Sequence, residues 1–145
     1  MTPTINTTGS VPALPPAATN VPYGTYLLTA YTLYGDPGSC NSVQPVATTM
    51  AVTALVPPAS DMGSIAGATG LANGVVSTFS ATFTTSGSII GLYVSCPSSN
   101  NYMISWGTTT TVSGTTLVDF QFGATSPLTP LAADCTAIAE YTLQP

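Results

Sequence analysis

The sequence predicts an all-β fold: an antiparallel β-sandwich, Ig-like or jelly-roll, preceded by an extended N-terminal arm. Three observations carry the expectation. Apolar residues alternate with Thr and Ser at period two through most of the chain. Gly and Pro clusters punctuate it at short intervals, marking out about seven strands. No stretch of useful length carries helical periodicity, and no internal repeat stands out.

The clearest strand pair is Thr78–Cys96, TFSATFTTSGSIIGLYVSC. Ser86-Gly87 reads as a two-residue hairpin turn, with Gly supplying positive φ. Thr85 then opposes Ser88, Phe83 faces Ile90, Ala81 faces Leu92 and Phe79 faces Val94. The other face carries Thr78, Ser80, Thr82 and Thr84. A slip of one residue would turn the phenyl rings into water, so the facing is strongly specified.

Taken in order, residues 1–24 form the arm and residues 25–145 the β domain. Pro3, Pro12, Pro15, Pro16 and Pro22 exclude a helix or central strand from the arm. Ile5, Val11 and Leu14 give it apolar side chains to bury. A flexible tail and an arm docked on its own or a neighbouring subunit are the two readings. Thr25–Tyr34 is a strand with apolar residues on both faces, as if one face needs a cover. Val43–Val56 follows, paired regularly only beyond Pro45, with Met50 and Val52 sharing a face.

Residues 57–73, rich in Gly and Ala, read as a long loop with room for a helical turn or minor strand near Ile65. Tyr102–Val112 and Thr115–Gly123 form a second hairpin about Ser113-Gly114. An extra residue at Gly107, a bulge, is needed to set Trp106 beside Phe120. Cys135–Leu143, with Ala137, Ala139 and Tyr141 alternating, closes the domain.

Charge is the abnormal feature. The chain has no Lys, Arg or His, and its net charge of −5 comes from five carboxylates: Asp36, Asp61, Asp119, Asp134 and Glu140. Charged residues are 3% of the chain, yet 44% hydrophobic residues can fill a core, so disorder does not follow. Without cations there is nothing to neutralise phosphates, which excludes nucleic-acid binding. No run is long and apolar enough to span a membrane. The start, MTPTINTTG, lacks the basic and apolar regions of a signal peptide. Composition favours an extracellular or cell-surface setting.

Catalysis is disfavoured by elimination. No His or Lys stands ready to activate a Ser or Cys nucleophile. Asp119 lies on a polar strand face beside Gln121, where a solvated or hydrogen-bonded carboxylate is the simpler reading. No spacing suits zinc or calcium, and no cofactor is expected. Three cysteines leave one over. With strands alternating up and down, Cys96 and Cys135 fall at one end and Cys40 at the other, so Cys96–Cys135 is the expected disulfide. Asn6-Thr7-Thr8 is the sole N-glycosylation sequon, which makes Asn6 the candidate for glycan attachment.

The proline- and threonine-rich arm, the Ser/Thr-faced strands and the near absence of charge together resemble extracellular filament and pilus subunits that exchange a donor strand. That resemblance implies a structural subunit that polymerises with copies of itself, its arm completing a neighbour's sheet. A secreted adhesin or carbohydrate-binding module, using Trp106 and surface tyrosines, is the main alternative. A virion coat or decoration protein is the third reading.

Overall fold

A computed structural model describes residues 10–36, 40, 45–55, 61–123 and 135–145 in full, and residues 4–6 by their backbone. The strands are β1 (Thr4–Asn6), β2 (Gly24–Tyr34), β3 (Pro45–Thr53), β4 (Met62–Leu71), β5 (Val76–Ser86), β6 (Ile89–Cys96), β7 (Asn100–Thr110), β8 (Thr116–Phe122) and β9 (Thr136–Leu143). Strands β2 to β9 pair in sequence order, each antiparallel to the next, and β9 pairs back onto β2. The expected sandwich is therefore wrong: the eight strands form a closed up-and-down barrel.

The missing strand explains the error. β4 occupies the stretch expected to be a loop. A meander of seven strands begins and ends with parallel neighbours, whereas eight bring β9 antiparallel to β2 and let the sheet close. β4 looked unlike a strand because two of its inward positions are glycines. Gly63 and Gly67 pair across the sheet with Phe83 and Phe79. A Cβ at Gly63 would lie 2.6 Å from the Phe83 ring, and one at Gly67 2.9 Å from the Phe79 ring. The two rings fill the space those side chains would have taken.

A bulge corrects the reading of β2. Pairing with β9 slips between Leu28↔Tyr141 and Ala30↔Glu140, leaving Thr29 as the extra residue. Tyr26 and Leu28 before it, and Tyr31 and Leu33 after it, are all buried in the same core. The strand is not apolar on two faces; its inward face changes parity at Thr29. The Thr29 hydroxyl meets the Glu140 carboxylate at 3.2 Å and the Thr142 hydroxyl at 2.9 Å on the outside.

The β5–β6 hairpin keeps its expected faces with a shifted centre. Ser86 opposes Ile89, so Gly87-Ser88 is the turn, with only Gly87 at positive φ (56°). Moving the centre by one residue moves the register by two, so Phe83 meets Leu92 and Ala81 meets Val94 while every side chain keeps its side. In the β7–β8 hairpin Trp106 does oppose Phe120, without a bulge at Gly107. The extra residue lies in the loop instead. Gly114 N–H bonds the Thr111 carbonyl at 2.9 Å, and Gly114 takes φ 85° in a three-residue connection. Leu71–Val75 repeats the same turn between β4 and β5.

The barrel interior is apolar and the wall hydroxylated. Trp106, Phe83, Ile90, Val118 and Tyr26 are fully buried, while Thr49, Thr53, Thr78 and Thr82 are exposed. This is the reverse of a membrane barrel, whose apolar band faces outward. No helix among the described residues is long and apolar enough to cross a membrane.

Candidate functional site

The described part of the arm lies on its own barrel. The Pro16 carbonyl accepts from Thr108 N–H at 3.1 Å, and Pro15 covers Gly107, where a Cβ would collide with the Pro15 carbonyl. The Thr19 carbonyl accepts from the Thr85 hydroxyl at 2.8 Å, and the Tyr23 hydroxyl donates to the Met62 carbonyl at 3.3 Å. The Tyr26 hydroxyl donates to the Pro22 carbonyl at 2.7 Å. These anchors run from β7 past β5 and β4 to the start of β2, so residues 15–23 cross the end of the barrel where β2 begins. Val21 is fully buried there and Ala17 packs on the core. Of the expected assembly residues, Leu14 is half-buried and Val11 exposed. The side chains of Ile5 and Asn6 lie outside the described residues.

β1 is the exception to the meander. It pairs parallel with β2 through Thr4↔Thr32, Ile5↔Leu33 and Asn6↔Tyr34. β9 already occupies the other edge of β2 up to Tyr34↔Thr136, so β1 lies on the β3 side. There the ladder between β2 and β3 runs only from Gly24↔Val52 to Leu27↔Thr49. β1 thus takes the edge of β2 that β3 leaves.

The disulfide joins Cys40 to Cys135, not Cys96 to Cys135, with Cα atoms 5.5 Å apart. Cys96 is free and exposed. The strand that the loop reading left out is again the reason. With β4 present, Cys40, Cys96 and Cys135 all fall at the end where β2 finishes. Cys40 follows β2 and Cys135 precedes its partner β9, whereas Cys96 ends β6, on the far side of the ring.

Among the described residues no three His, Cys, Asp or Glu side chains group around a common point. Asp119 and Glu140 are cross-strand neighbours on β8 and β9. Burial, then the Glu140 charge, raises the Asp119 pKa from 3.8 to about 6. Its Oδ1 is buried with no hydrogen-bond partner among the described residues. Asp134 lies outside the described residues. Trp106, the candidate sugar platform, is fully buried, and its indole N–H donates to the Gly87 carbonyl at 3.0 Å. It has no face to offer a sugar.

The barrel is not filled throughout. Toward the end where β2 finishes, the interior holds a cavity of about 150 Å³. Met50, Ile65, Leu92, Ile104, Phe120 and Phe122 supply much of its wall, with Pro97 and Ser98 of the β6–β7 loop at the rim. Two tyrosines also border it, each with its hydroxyl engaged. Tyr102 accepts from Asn100 Nδ2 at 3.1 Å, and Tyr141 hydrogen-bonds Thr48. Nothing in the sequence pointed to this space, because a cavity is what inward side chains fail to fill.

Compared with known proteins, the chain matches no family model, and neither a curated protein nor a solved structure resembles it significantly.

Proposed function

We propose that the protein is a non-catalytic structural subunit of an extracellular polymer, and that subunits join by exchanging β1. The observation that carries this reading is the place of β1. It is a short strand outside the meander, bound to an edge of β2 that β3 leaves unpaired beyond Leu27↔Thr49. A neighbour's β1 can make the same parallel hydrogen bonds, since an added strand is recognised mainly through its backbone. Exchange of identical elements costs little, and a head-to-tail exchange propagates instead of closing.

The docked part of the arm narrows the expectation from the sequence. Residues 15–23 hold the end of their own barrel, so exchange is left to the chain before them, where β1 lies. The wall supports association in that charged residues are only 3% of the chain, so contact between copies strips few charges of water. Tyr93 and Met103, 47% and 74% exposed on neighbouring strands, add apolar surface. The Cys40–Cys135 disulfide supports the extracellular setting, because such bonds persist under oxidising conditions.

Light scattering and negative-stain microscopy of the full chain and of a chain lacking residues 2–9 test the reading. The full chain is expected to form extended polymers, and the shortened one to stay monomeric with an unchanged circular dichroism spectrum. A full chain that stays monomeric at high concentration removes the polymer. A shortened chain that polymerises equally well removes the role of β1. Closed shells in place of filaments would favour the coat-protein alternative.

A further inference from the structure

The cavity at the barrel's second end is independent of assembly, and its chemistry is unusually restrictive. One end of the barrel is crossed by residues 15–23, with Val21 and Trp106 fully buried. The cavity lies toward the opposite end, beneath Pro97 and Ser98. Its wall is hydrocarbon from Met50, Ile65, Leu92, Ile104, Phe120 and Phe122; of the tyrosine hydroxyls at its border, that of Tyr141 is bonded to Thr48 and that of Tyr102 accepts from Asn100. An anionic guest such as a fatty acid would find no cation, for the chain has none. A cationic guest would find no carboxylate among the described residues of the wall. A strongly polar neutral guest would lose most of its hydration, with the Ser98 and Tyr102 hydroxyls among the described residues to replace it.

Size sets the remaining limit. An apolar cavity of about 150 Å³ accepts a benzene-sized guest and lies well below the space a drug-sized ligand needs. We propose that the barrel binds a neutral, apolar, single-ring molecule in this cavity, held by dispersion and by release from water. Binding in this cavity does not require the protein to polymerise.

The methionines make the site directly observable. Met50 lines the cavity, whereas Met103 is 74% exposed on the outer wall. With ¹³C-methyl methionine in the full chain, toluene is expected to shift the Met50 methyl resonance saturably and to leave Met103 in place. Benzoate, the same ring carrying a charge, is expected to shift neither. Ala81, which also lines the cavity, gives the blocking variant: Ala81→Phe is expected to weaken toluene binding by roughly tenfold or more.

If Ala81→Phe does not fold, as judged by methyl dispersion, Leu92→Ala serves in its place. It enlarges the space and is expected to admit naphthalene, which the parent chain excludes. A parent chain whose Met50 shows no saturable shift overturns the proposal. So do equal, non-saturating shifts at Met50 and Met103, benzoate binding as tightly as toluene, a folded Ala81→Phe that binds toluene unchanged, or a Leu92→Ala that gains nothing.

Discussion

Replacing Phe83 by Ala tests the packing that closes the barrel. Phe83 is fully buried, between Gly63 on β4 and Leu92 on β6. Truncating a buried Phe to Ala removes its transfer free energy and leaves a cavity, together costing about 3–5 kcal/mol. The local geometry decides where in that range the cost falls. The ring lies where a Gly63 side chain would be, 2.6 Å from the ideal Cβ position. With no side chain at Gly63, nothing swings in to fill the space, so the expected loss is about 4–5 kcal/mol. A domain of this size has about 5–15 kcal/mol of stability in all. The melting temperature should then fall by roughly 8–20 °C.

Phe79→Ala is the internal control. Phe79 lies four positions away on the same strand and also covers a glycine, Gly67, but it is only partly buried and borders the existing cavity. Its loss is expected to cost less than half as much as that of Phe83. Urea unfolding with the disulfide intact and m unchanged measures both. A Phe83→Ala cost below about 2 kcal/mol, or one equal to that of Phe79→Ala, would refute the claim that the ring substitutes for a side chain at Gly63.

Two further predictions concern the cysteines and Asp119. In the unreduced protein a thiol-alkylating reagent should add one mass increment, at Cys96, with Cys40 and Cys135 labelled only after reduction; labelling of Cys40 first would return the bridge to Cys96. Breaking the bridge should cost about 3–5 kcal/mol, because it ties together residues 95 apart in sequence. Asp119 should make stability fall as pH rises: its folded pKa of about 6 lies above the ordinary 3.8, so folding favours the protonated form. That stabilisation is complete below about pH 4 and gone once pH passes about 6. Asp119→Asn should therefore melt above the parent at pH 7 and level with it near pH 4, and a gap independent of pH would remove the assignment.

The sequence alone determined which side chains face inward wherever alternation is unbroken. Phe83, Leu92, Val118, Phe120, Ala137 and Tyr141 are all legible in this way, because a period-two pattern survives errors in turn position. A two-residue error in the β5–β6 register left every face correct. The composition likewise determined a hydroxylated, cation-free wall. Three things depended on contacts distant in sequence. β4 is a strand because Phe79 and Phe83 cover its glycines, and taken by itself it has the composition of a loop. The bulge at Thr29 is set by pairing with β9, more than a hundred residues away, so alternation alone reads β2 as apolar on both faces. The disulfide and the barrel both depended on strand parity, which one unrecognised strand reverses. Local alternation records a residue's orientation to its own strand, but closure depends on the number of strands, and only the assembled sheet supplies that number.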